Sequence, residues 1–280
     1  MSMLKHPSLF VRAGVLGLVA AVVVTGPSRA HAQPPGTDIY LAPLATGKIV
    51  EIGEPVNVTK RSGYDNQPHF ARDGLYFLYA SIDTSGQADV YRYHIGEGRH
   101  ERVTNTPESE YSPTLLPGTS GFSSVRVEAD GTTQRLWRFD TDGGNPRLLM
   151  TDVDSVGYHA WVGDETLVLF IVGEPHTLRV VDVPSQGEAI VARDIGVSLL
   201  GNSGTQRVSF TQLVGEVMRV RFLDVPERGI TDGPMLPWAR CTARGRPMAR
   251  FCARASPLYT GTTVSRGAPR RISPRTMSRV

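Results

Sequence analysis

Ala71-Arg72-Asp73-Gly74-Leu75-Tyr76-Phe77-Leu78-Tyr79 decides the fold. An Asp-Gly turn hands the chain to an unbroken apolar run from Leu75 to Ala80. Asp-Gly favours the tight turn of a hairpin, and a short apolar run bounded by turn residues reads as a strand buried on both faces. Ten residues further on, Asp89-Val90-Tyr91-Arg92-Tyr93 alternates polar and apolar side chains, the pattern of a strand with one wet face.

The same arrangement recurs. Thr59 stands nine residues before Pro68, Thr104 nine before Pro113, and Thr151 nine before Ala160, so the markers are separated by 45 and then 47 residues. After each marker come a short apolar stretch, a polar turn and an apolar run; in the third unit these are Val162-Gly163-Asp164-Glu165 and Thr166 to Val172. Alternating third strands follow at Gln134 to Phe139, at Thr177 to Val181 and, more loosely, at Val217 to Phe222. A period in the forties means one supersecondary unit per repeat and suits a four-stranded propeller blade. No mature segment keeps a 3.6-residue apolar period. The fold class is therefore all-β: a propeller of four-stranded antiparallel blades, expected near 66–104, 112–150, 158–192 and 198–228.

Strands near 38–42 and 55–59 have no first or second strand before them. A propeller removes its exposed edges by completing one blade from both chain ends. These two strands read as the remnant of that closing blade, to be paired by strands from the C-terminus.

The turn and run from Ala71 to Tyr79, followed by Asp89-Val90-Tyr91-Arg92-Tyr93 and Glu101-Arg102-Val103-Thr104, resembles the WD40-like repeat of TolB-type six-bladed propellers. Ala71-Arg72 stands where that family usually has Ser-Pro. The resemblance covers roughly residues 37 to 228. It implies a periplasmic binding scaffold. Some related propellers filter substrates for prolyl peptidases, but no hydrolase domain is read behind this one.

The ends of the chain differ from its body. Lys5 and Arg12 precede an apolar core from Ala13 to Val24, and Ala30-His31-Ala32 offers a cleavage site. That core is too short for the roughly 20 residues needed to span a bilayer. Residues 1–32 read as a signal peptide cleaved after Ala32, which sends a soluble chain to the periplasm or beyond the cell. Residues 33–234 form the propeller domain. They carry 27 acidic residues against 17 basic ones, whereas Met235 to Val280 holds ten arginines and no Asp, Glu or Lys. The isoelectric point near 9.0 thus comes from the termini, and no nucleic-acid partner is expected. Displacing the frame by one base lets Arg246-Pro247-Met248-Ala249-Arg250-Phe251-Cys252 encode Pro-Asp-Gly-Thr-Val-Leu, the turn and run of a further blade. The tail at 235–280 is read either as a frame slip that truncates the family's C-terminus or as a disordered basic segment.

Chemistry-bearing motifs are sparse. Five mature histidines, His69, His94, His100, His159 and His176, show no metal-ligand spacing, and no metal or cofactor is expected. Asp140-Thr141-Asp142-Gly143-Gly144 opens like a calcium loop but lacks the later Glu ligand and reads as a hairpin turn. The recurring polar cluster is the segment entering each first strand. Its binding candidates are Tyr64, Asn66 and His69, then Glu110 and Tyr111, then Tyr158, His159 and Trp161. First strands line a propeller's channel, and aromatic rings beside amides and carboxylates suit recognition. The expected function is a non-catalytic scaffold for a protein or peptide partner in the bacterial envelope, expected as a monomer without a membrane span. The alternative is a propeller-type hydrolase or lyase with its site at the channel mouth.

Overall fold

The computed structural model describes residues 35–46, 49–201, 204–240 and 262–265, of which 235–240 and 262–265 are described as backbone. All regular structure among them is β. The chain starts with β1 (Thr37–Leu41), β2 (Leu44–Thr46), β3 (Val50–Ile52) and β4 (Val56–Asn57). The first blade is β5 (Tyr64–Phe70), β6 (Tyr76–Ile82), β7 (Ala88–His94) and β8 (Arg99–Arg102). The second is β9 (Ser109–Leu115), β10 (Phe122–Val127), β11 (Gln134–Phe139) and β12 (Arg147–Leu148). The third is β13 (Val156–Val162), β14 (Thr166–Ile171), β15 (Thr177–Asp182) and β16 (Gly187–Arg193). The fourth is β17 (Ile195–Gly201), β18 (Arg207–Val214), β19 (Val217–Asp224) and β20 (Gly229–Arg240). In every blade the four strands pair antiparallel in sequence order, and the blades are arranged as a β-propeller.

The hydrophobic core lies between blades, not within them. Leu78 and Val90 of the first blade meet Phe122 and Phe139 of the second, whose rings stack with centroids 5.1 Å apart. Val125 and Leu136 pack against Leu167, Leu169 and Val181 of the third blade. Val168, Phe170 and Leu178 then pack against Val208, Phe210 and Leu223 of the fourth. A sheet sandwiched between two others buries both faces of its second strand, which is why β6, β10 and β14 are almost wholly apolar or small and buried. Each such large side chain contributes about 1.5–3 kcal/mol of transfer free energy.

The N-terminal strands join the sheet of the first blade. β1 pairs antiparallel with β4 through Tyr40 with Asn57 and Leu41 with Val56, and it meets β5 in parallel at Thr37 with Tyr64. Ile39 is buried against Phe77, Tyr79 and Tyr93 of the first blade. Between β1 and β4 the separate hairpin β2–β3, which the sequence reading did not anticipate, exposes Val50 and Ile52.

The C-terminal region extends the strand pairing. β20 continues to Arg240, pairing with Val217 of β19, so the boundary drawn at 234 falls inside a strand. A further strand, β21 (Thr262–Ser265), pairs antiparallel along β1 from Thr37 to Tyr40. A strand edge offers backbone donors and acceptors whatever the side chains, so an arginine-rich composition does not bar pairing there. The signal peptide at 1–32 and the frame-shifted turn at 246–252 lie outside the described residues.

Candidate functional site

A cavity of about 750 Å³ opens where the first strands of all four blades converge. Its wall repeats: Gln67 to Phe70 from β5, Ser112 to Leu115 from β9, Tyr158 to Trp161 from β13, and Leu199 to Gly201 from β17. The turns that follow these strands form its rim, bringing Arg72, Gly118, Asp164 and Gln206 to the opening.

A bulge decides which part of each strand reaches the cavity. The ladder slips between Asn66 and His69 in β5, opposite Ser124 in the second blade, and between Val156 and Tyr158 in β13. Gln67 and Ser112 sit at the slip in left-handed backbone, with φ of 58° and 52°. A proline follows each of them. Proline lacks the N–H that an intact ladder would use, so a bulge accommodates it. The bulges also link blades: Ser112 N–H donates to Gln67 Oε1 at 2.8 Å, and Ser112 Oγ donates to the Gly157 carbonyl at 3.3 Å.

Of the eight candidate residues, His69, Tyr158, His159 and Trp161 line the cavity. His159 and Trp161 share one partner in the neighbouring blade. Trp161 Nε1 donates to Ser123 Oγ at 2.9 Å, and His159 Nε2 lies 2.7 Å from that oxygen, with the bond's direction set by the imidazole tautomer. Ser123 is fully buried on β10, so it holds both rings without touching the cavity.

Tyr64, Asn66, Glu110 and Tyr111 do not line it. They lie on the entering half of the first strands, before the bulge, and that half serves packing and hydrogen bonding. Tyr64 pairs with Ile82 and borders β1. Asn66 Oδ1 accepts the Gln67 N–H at 2.7 Å and so braces the bulge. Glu110 is completely buried, accepts from Thr106 Oγ1 at 2.6 Å and pairs with Arg126 at 3.0 Å. Burial raises its carboxyl above the ordinary glutamate range. Tyr111 packs on the core between the second and third blades, and burial raises its phenol too.

The reading missed the rim and the fourth blade's share. Arg72 and Asp164 occupy corresponding turns, which sequence treats only as punctuation, and Leu199 and Leu200 belong to the unit with the weakest repeat. Asp140 to Gly144 forms the expected hairpin turn, closed by Asp140 N–H to the Gly144 carbonyl at 3.0 Å. Among the described residues, no three His, Cys, Asp or Glu side chains gather as metal ligands. No helix among them is long and apolar enough to cross a membrane.

No family model matches the sequence, and no curated protein matches it. Solved structures do. TolB from Acinetobacter baumannii superposes with a TM-score of 0.52 at 16% identity, covering 68% of this chain and 50% of its own. A putative TolB from Agrobacterium tumefaciens gives 0.54 at 13% identity, covering 70% of each chain. The fold is that of a TolB-like propeller. A nidogen/laminin complex is also similar, with a TM-score of 0.51 at 12% identity, over 71% of this chain and 79% of that one. This TolB-like propeller spans half the length of the Acinetobacter TolB, and its likeness to all three lies in the fold.

Proposed function

We propose that this chain is an exported, non-catalytic binding scaffold whose cavity holds a segment of a protein or peptide partner in the bacterial envelope. One observation carries the reading: successive blades turn the same half of their first strand into a single cavity. Its volume, about 750 Å³, falls in the roughly 300–1,000 Å³ range of ligand sites. Its wall combines apolar bodies (Pro68, Pro113, Trp161, Leu200) with a few polar tips (His69, Thr114, His159). That mixture gives contact area with orientation, which is how recognition surfaces work. The apolar leader before Ala32 supports export, and the TolB-like fold supports an envelope role.

The test is retention of a partner by the biotinylated full chain from periplasmic extract, compared with a Thr114→Trp variant that fills the cavity. Wild type should retain a protein that the folded variant does not. Equal retention by both would place binding elsewhere.

A further inference from the structure

We infer that the cavity reads opposite charges on two separate turns of its rim, and so selects a peptide segment with an acidic and a basic side chain flanking an apolar one. This rests on the binding role proposed above and adds the class of ligand. Among the described residues the rim carries one cation and one anion, Arg72 on the turn of the first blade and Asp164 on the corresponding turn of the third. Both are exposed, and neither makes an ion pair or hydrogen bond among the described residues.

The turn between them belongs to the second blade and is bare. Gly118 stands there in left-handed backbone, φ 67°, and a Cβ on it would lie 2.8 Å from Asp164 Oδ1. Glycine therefore admits the Asp164 carboxylate against the second blade's backbone. Below the rim the wall is mixed, and its apolar stretch is formed by Trp161, whose Nε1 donates to Ser123, with Leu199 and Leu200. Two unneutralised, opposite charges above a wall with an apolar stretch complement a ligand with its own charges in the reverse order around an apolar side chain. Charge complementarity at a rim sets specificity and register more than raw affinity.

The experiment is selection of phage-displayed random heptapeptides on the full chain, on Arg72→Glu, on Asp164→Lys, on the doubly swapped variant and on the cavity-filling Thr114→Trp. Both rim residues are exposed turn positions, so these variants retain the fold, as circular dichroism would verify. Wild type should enrich peptides carrying Asp or Glu together with Lys or Arg around an apolar residue. Arg72→Glu should lose the acidic preference and keep the basic one, and Asp164→Lys should do the reverse. Each single swap should weaken a wild-type-selected peptide about fivefold, the scale of one exposed ion pair. The double swap should restore binding to peptides with the charge order reversed. Peptides of unchanged charge composition on all four rim sequences would overturn the charge reading while leaving the cavity as a site. Equal enrichment on Thr114→Trp would overturn the binding role itself.

Discussion

The backbone N–H of Ser112 donates to the side-chain carbonyl of Gln67 across one full repeat, 45 residues in sequence and 2.8 Å in space. The bond joins the first two blades at their bulges, where the ladder cannot satisfy that N–H. Gln67→Met keeps the shape of the side chain and removes the acceptor. It should destabilise the fold by about 1–3 kcal/mol, the cost of leaving a buried donor unpaired. Urea melts of the two proteins check this, with the slope against denaturant unchanged.

Ser123 holds two cavity rings at once, through Trp161 Nε1 and His159 Nε2. Ser123→Ala removes the shared partner and should cost about 1–3 kcal/mol. Its signature should be local: of the indole N–H resonances from Trp137, Trp161 and Trp238, that of Trp161 should shift and exchange faster with solvent. An unmoved Trp161 resonance would show that packing alone positions the ring.

Glu110 is fully buried beside Arg126, and burial raises its carboxyl above the ordinary glutamate value of 4.5. The folded chain then keeps its proton at pH values where the unfolded chain has released it. This group's stabilising contribution is full below about 4.5 and is lost as pH rises through its higher folded value. Glu110→Gln should abolish that fall, so stability measured from pH 4 to 7 should decline less steeply in the variant. Arg126→Leu, which strands the carboxylate, should cost about 3–5 kcal/mol near pH 7, whereas Glu110→Leu with Arg126→Leu together should cost far less.

Gly131 and Gly143 both adopt left-handed backbone, with φ of 73° and 82°. A Cβ on Gly131 would meet open space, but one on Gly143 would lie 2.1 Å from the Val103 carbonyl oxygen of the first blade. Gly131→Ala should therefore cost about 1–2 kcal/mol, the backbone penalty alone. Gly143→Ala must also push two blades apart and should cost clearly more. Thermal melts of the pair separate the two effects, and equal losses would show that the hairpin simply moves aside.

Sequence alone determined the unit and its repetition. The Asp-Gly turn at 73–74, the apolar run after it and alternating strands at 89–93 and 134–139 specify blades through local rules of turn chemistry and burial period. Those rules act within a few residues; the first three blades lie close to where they put them, while the fourth continues past the expected 228 through β20 to Arg240. They could not say which half of a first strand faces the cavity. Glu110 and His159 look alike in sequence, each polar and each entering a first strand, yet one is sealed in a blade and the other lines the cavity. The bulge makes that division, and it depends on a neighbouring blade, through contacts such as Gln67 with Ser112 and Ser123 with His159. Arg72 and Asp164 share a rim because equivalent turns of separate blades point to one opening, a relationship between residues about two repeats apart that only tertiary packing decides.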